Sequence, residues 1–227
     1  WFESSVFGQF DAVAAALLLT AVIFLLKGKD ILAFVFAALA VMTKQHTFFA
    51  VAMMLITGTR YLSKKRWLTN LTLMGGVATL LSIPFVVTGN FFPYLRALLA
   101  PGSLPGYQDP LCLSFSGLGS LLTQMNHAFG WNTNTLIALL SYLLVAGFLV
   151  TAALVYIRRI STLQGMLAGF LVFVALYYRI NYQYLVVYIP LAILLASHTQ
   201  YKAERIFTLA MALLPAVSPA SSTSSVS

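Results

Sequence analysis

The sequence predicts an all-α, multi-spanning transmembrane bundle of about eight helical segments, some short or broken, with one long outer loop. Three observations lead there. Apolar residues make up 60% of the 227-residue chain and charged residues only 8%, with a mean hydropathy of +0.91. That excludes an ordinary soluble domain. The apolar residues fall in continuous runs without the alternation of barrel strands, so helices must satisfy the backbone in lipid. Finally, all of the 13 Lys and Arg except Lys44, Arg96 and Arg179 fall in short clusters between runs. Cationic loops stay cytoplasmic, which makes those clusters topology markers.

The runs are 12–26, 31–43, 47–59, 70–89, 134–157, 163–178, 184–197 and 206–217. Several are shorter than the roughly 20 residues of a full span. Short spans are tolerated when tilted, packed inside a bundle or ended in a polar cavity. Runs 31–43 and 47–59 pose a choice. One continuous helix would put Lys27 and Lys29 on the opposite side from Arg60, Lys64, Lys65 and Arg66. A broken hairpin with Lys44-Gln45-His46 at its apex keeps both clusters inside and is preferred.

Orientation then alternates along the chain. Residues 27–30, 60–69, 158–162 and 198–205 are expected inside; 1–11, 44–46, 90–133 and 179–183 outside. Loop 90–133 carries Pro93, Pro101, Pro105 and Pro110. Its Phe91–Leu99 stretch suits a short interfacial helix with Arg96 among apolar residues. A loop of this length is either a lid or a passive cap. Residues 1–217 form the expected transmembrane region, with part of it preceding Trp1. A Ser- and Pro-rich stretch begins at Pro215, and 218–227 are expected to be a disordered tail.

The net charge of +8 is spread over separate helix ends, which argues against nucleic acid as a partner. Cys112 is the only cysteine, so an intrachain disulfide cannot form. HExxH, Gly-x-Ser-x-Gly and Walker sequences are absent. His127 and His198 look ordinary, and the Asn70-Leu71-Thr72 sequon falls on the inner side.

Three polar groups remain on the outer side. Lys44-Gln45-His46 is the strongest. A lysine between apolar helices is costly unless paired or set to hold an anion such as phosphate; the alternative is a side chain snorkelling to the head groups. In Phe7-Gly8-Gln9-Phe10-Asp11, Asp11 either caps the helix start or joins Gln9 in contacting a sugar. The run 177–184 is either an aromatic belt or a site in which Arg179, Asn181 and Gln183 bind phosphate and hydroxyls. Pro190 is expected to kink the next helix.

FGQFDAVAAALLLTAVIFLLKGK, then LAFVFAALAVMTKQHTFFAVAMML, then the late Asn181-Tyr182-Gln183-Tyr184…Pro190 pattern resemble the GT-C superfamily of integral-membrane glycosyltransferases. The resemblance spans about residues 1–197. Phe7 stands where the family usually has Trp, and Tyr182 where it commonly has Pro. The resemblance implies transfer of a sugar, mannose the first candidate, from a polyprenyl-phosphate donor to a lipid, glycan or protein acceptor at the extracytoplasmic face of a bacterial plasma membrane or the ER. It implies donor-phosphate binding by Lys44, Gln45, His46 and Arg179, and sugar or acceptor binding by Gln9, Asp11, Asn181, Tyr182 and Gln183. The catalytic carboxylate is expected N-terminal to Trp1, in a first outer loop. Membrane lipids and the lipid-linked donor are the expected partners; a divalent metal is left open. The competing expectation is a transporter or lipid flippase, since broken helices and an intramembrane cation fit that class too. Its inner helix halves should then be polar, and here they are almost uniformly apolar.

Overall fold

The computed structural model describes residues 10–99, 121, 128–130, 133–177 and 184–198. Among them are eight α-helices and no strand: α1 (Asp11–Leu26), α2 (Asp30–Thr43), α3 (Phe48–Tyr61), α4 (Lys64–Val87), α5 (Phe91–Leu99), α6 (Thr133–Tyr156), α7 (Thr162–Leu176) and α8 (Leu185–His198). A 3-10 turn, Gln45–Thr47, joins α2 to α3. Seven of the eight predicted runs are thus helices, and the helix expected at Phe91–Leu99 is present. Run 206–217 and the tail lie outside the described residues.

The bundle is built on a tight hairpin of α1 and α2. Gly28 turns the chain at a φ of +67°, and the amides of Gly28 and Lys29 close back on Leu25 and Phe24. Small residues let the helices approach closely: Ala15 and Ala21 of α1 and Ala33, Ala37 and Ala40 of α2 share one buried cluster. Helices α3, α7 and α8 complete that cluster through Met53, Met54, Met166, Phe170 and Tyr188. Gly165 and Gly169 of α7 sit under α3 and α6. A methyl on Gly165 would come within 2.2 Å of Val155, and one on Gly169 within 3.1 Å of the Phe49 carbonyl.

The core helices are the short ones. The two helices long and apolar enough to cross a membrane, α4 and α6, lie at the periphery with little of their surface buried. Leu80, Val86 and Val87 of α4, and Val145, Leu149 and Val150 of α6, are exposed. Apolar side chains around the circumference of a long helix match a lipid surround. The chain is a helical membrane bundle.

The break after α2 is a true reversal. A methyl on Gly58, near the end of α3, would lie 3.2 Å from Phe34, near the start of α2. In one straight helix those residues would be roughly 36 Å apart. The reversal brings the basic clusters to one end. Asp30 accepts hydrogen bonds from Arg66 and, at 2.9 Å, from Asn70 of α4. Arg60 lies over Tyr156, and Arg158 over Tyr61, tying the end of α3 to the end of α6. Lys27, Lys29, Arg60, Lys64, Lys65, Arg66, Arg158 and Arg159 therefore share one end of the bundle.

One boundary differs from expectation. Residues 60–69 read as a basic loop before a helix at 70, yet α4 begins at Lys64. The Ser63 side chain accepts a hydrogen bond from the Arg66 amide and caps it. Hydropathy marks where a helix becomes apolar, whereas the cap marks where it starts. Helix α8 runs through Pro190.

Candidate functional site

At the end opposite the basic clusters, α2 stops at Lys44. Its backbone turns extended (φ −151°, ψ 120°) before the 3-10 turn. The freed Lys44 carbonyl accepts from both the Thr47 hydroxyl (2.8 Å) and the Thr47 amide (3.2 Å). Thr47 is fully buried. This side-chain-to-backbone turn fixes the direction in which Lys44 leaves the helix.

Lys44 points across to α1. Its Nζ lies 3.3 Å from Oδ2 of Asp11, and Nε2 of His46 lies 4.0 Å from Oδ1 of the same carboxylate. The Asp11 side chain has no exposed surface, while 27% of the Lys44 side chain is exposed. Neither Asp11 oxygen has a hydrogen bond of good geometry, and nor does His46 Nε2. The Lys44 contact is thus an ion pair by distance, held by charge rather than by an aligned hydrogen bond. Asp11 does not cap α1: the N-cap is Phe10, and no side chain bonds the first-turn amides. Its place in the first turn still favours a negative charge there.

His46 is buried against aromatic rings of α7 and of Tyr184, just before α8. Its ring centroid lies 4.5 Å from Tyr184, 5.8 Å from Phe170 and 6.1 Å from Phe173. Phe173 in turn stacks on Tyr177 at 4.9 Å. The flanks of the 177–184 run thus stand beside the 44–46 apex. Gln45 is exposed at that apex.

Two of the three outer groups predicted from sequence are therefore joined by direct contact at Lys44, His46 and Asp11. Gln9, Arg179, Asn181, Tyr182 and Gln183 lie outside the described residues. Thr47 and the aromatic wall of Phe170, Phe173 and Tyr184 were not among the predicted site residues. Thr47 carried a usable signal, a hydroxyl three residues after the lysine that ends the helix. Phe170 and Phe173 carried none, because phenylalanines within an apolar run look like core, whereas Tyr184 lay within the 177–184 run singled out from the sequence.

The arrangement limits the chemistry. A general base must reach its proton within about 2.6–3.2 Å, and the buried Asp11 carboxylate offers no surface to an acceptor. What it can do is hold the Lys44 ammonium in place, on a side chain that is 27% exposed. No group of three His, Cys, Asp or Glu that could hold a metal occurs among the described residues.

A family model, glycosyltransferase family 87, matches residues 1–178, which is most of the chain. No curated protein and no solved structure matches it. The family gives no support to the transporter or flippase alternative. With its helical membrane bundle and its match to this family, the chain belongs to glycosyltransferase family 87, a family of membrane enzymes.

Proposed function

We propose that the chain works in transfer of a sugar from a polyprenyl-phosphate donor to a lipid, glycan or protein acceptor at the extracytoplasmic face, in a GT-C-type, multi-pass enzyme. Mannose is the first sugar to test. The observation that carries this reading is the ion pair between Lys44 and fully buried Asp11, at the end opposite the arginine and lysine clusters. Cations gather on the cytoplasmic side, so the Lys44 end faces outward.

A membrane protein keeps an intramembrane ionisable pair only at a cost, which favours function. In this reading Lys44 holds the donor phosphate and stabilises the charge on the leaving phosphate as the glycosidic bond breaks. Asp11 is a positioning residue, acting through Lys44. His46 and the aromatic wall brace the apex, and Gln45 offers an amide at the surface. Arg179, Asn181, Tyr182, Gln183 and Gln9 supply the remaining contacts to phosphate, sugar and acceptor.

The test is donor retention. The full-length protein in nanodiscs is offered radiolabelled polyprenyl-phosphate mannose, polyprenyl-phosphate glucose or a nucleotide sugar. Retention of a polyprenyl-phosphate sugar in preference to the nucleotide sugar is expected. Retention of the nucleotide sugar alone would overturn the donor class.

A further inference from the structure

At the basic end, a cavity of about 250 Å³ opens between the ends of α3 and α6 and the start of α7. Thr57, Tyr61, Arg158, Arg159, Ser161 and Thr162 line it. Two of these bring positive charge and four bring hydroxyls. The positive end of the α7 dipole adds to them. The only described carboxylates are Asp11 and Asp30, and each is engaged elsewhere, by Lys44 and by Arg66. Among the described residues, no acid neutralises these arginines.

The backbone carries an independent sign. Three helices end in the same turn, in which one amide closes on the residue three back and the next amide closes five back. The central residue of each is left-handed: Gly28 at φ +67°, Gly89 at +72° and Arg158 at +62°. Glycine takes that conformation without strain, and arginine does not. The chain uses glycine in two of these turns and bears the strain in the one beside the cavity. Strain retained at a single position marks a side chain wanted for itself. The Arg158 side chain is exposed, lines the cavity and places its guanidinium 5.1 Å from the centre of the Tyr61 ring.

We propose that this cavity binds a phosphate mono- or diester, with Arg158 and Arg159 as its charged donors. The Thr57 hydroxyl donates to the Met53 carbonyl at 2.9 Å and pairs with the Thr162 hydroxyl at 3.0 Å, which fixes the start of α7 against α3 on the floor of the cavity. A phospholipid head group is one source of that chemistry. Tyr156 and Ile157, exposed beside the cavity, and the apolar surface of α6 give acyl chains a place to lie. Basic pockets between membrane helices take such head groups. Free phosphate is the other source.

The test uses the full-length protein in phosphatidylcholine nanodiscs, with or without phosphatidylglycerol, and separately with inorganic phosphate in solution. Arg158→Gly suits the turn it replaces and should fold; Arg159→Gln leaves the turn untouched. Wild type should enrich phosphatidylglycerol over phosphatidylcholine, and each variant should do so about tenfold more weakly. If inorganic phosphate instead raises the thermal midpoint of wild type but not of the variants, the site stands with a soluble ligand. Equal lipid retention by wild type and both variants, with no phosphate effect, would overturn the proposal.

Discussion

Replacing Lys44 by Met should destabilise the protein more than replacing Asp11 by Asn, and the double variant should recover most of the loss. The reason lies in the unequal burial of the pair. Asp11 is fully buried and Lys44 is 27% exposed, at a separation of 3.3 Å. At an effective dielectric constant of about 20, their attraction is about 5 kcal/mol before desolvation is counted. Lys44→Met leaves a buried carboxylate with no hydrogen bond, at a cost of about 3 kcal/mol. Asp11→Asn leaves an ammonium that can still reach water, at a cost of about 1 kcal/mol. The double variant removes both charges and should lie close to the milder single one, so the coupling is about 3 kcal/mol. Thermal unfolding of the purified full-length variants in detergent reads this directly. The Lys44→Met midpoint should fall by roughly 6–12 °C on the usual scale for a chain of this size. Single-variant costs that add in the double to within about 0.5 kcal/mol would show that the two charges do not interact.

Gly165→Ala should lower stability by about 1–3 kcal/mol, because its methyl would press on the stiff Val155 side chain 2.2 Å away; Gly75→Ala, with nothing within 4 Å, should raise it by about 0.5–1 kcal/mol. The same unfolding assay checks both. Asn70→Ala removes a buried donor to Asp30 and should cost about 1–3 kcal/mol, measured as a drop in midpoint; no change would mean that Arg66 alone satisfies Asp30. A reporter fused after Arg159 should read cytoplasmic, and an outer signal would reverse the orientation of the site.

Much of the helical framework was legible because lipid leaves the backbone few choices. Runs of apolar residues became helices from α1 to α8, and the charge bias alone chose the hairpin at Lys44 over a single long helix. The start of α4 was not legible from hydropathy, since Ser63 caps a basic first turn. Nor was the partner of Lys44. Asp11 and Lys44 sit at opposite ends of a helical hairpin in sequence, and only the close alanine packing of α1 on α2 brings them together. Sequence reading left Asp11 between a helix cap and a sugar contact and gave Lys44 to phosphate or the head groups; the structure adds that they pair, with Asp11 fully buried and Lys44 partly exposed. The wall around His46 was hidden for a related reason. Phe170 and Phe173 have the helical spacing of core residues and serve as core and as site wall at once.

The central claim is that Lys44 holds the donor phosphate, and the Asp11→Asn/Lys44→Met double variant tests it most directly, because its fold should survive. Membranes carrying the full-length double variant would be given a radiolabelled polyprenyl-phosphate sugar that wild type turns over, and release of polyprenyl phosphate followed. The account predicts wild-type amounts of folded protein with turnover reduced at least about a hundredfold. Wild-type turnover in a folded double variant would contradict it.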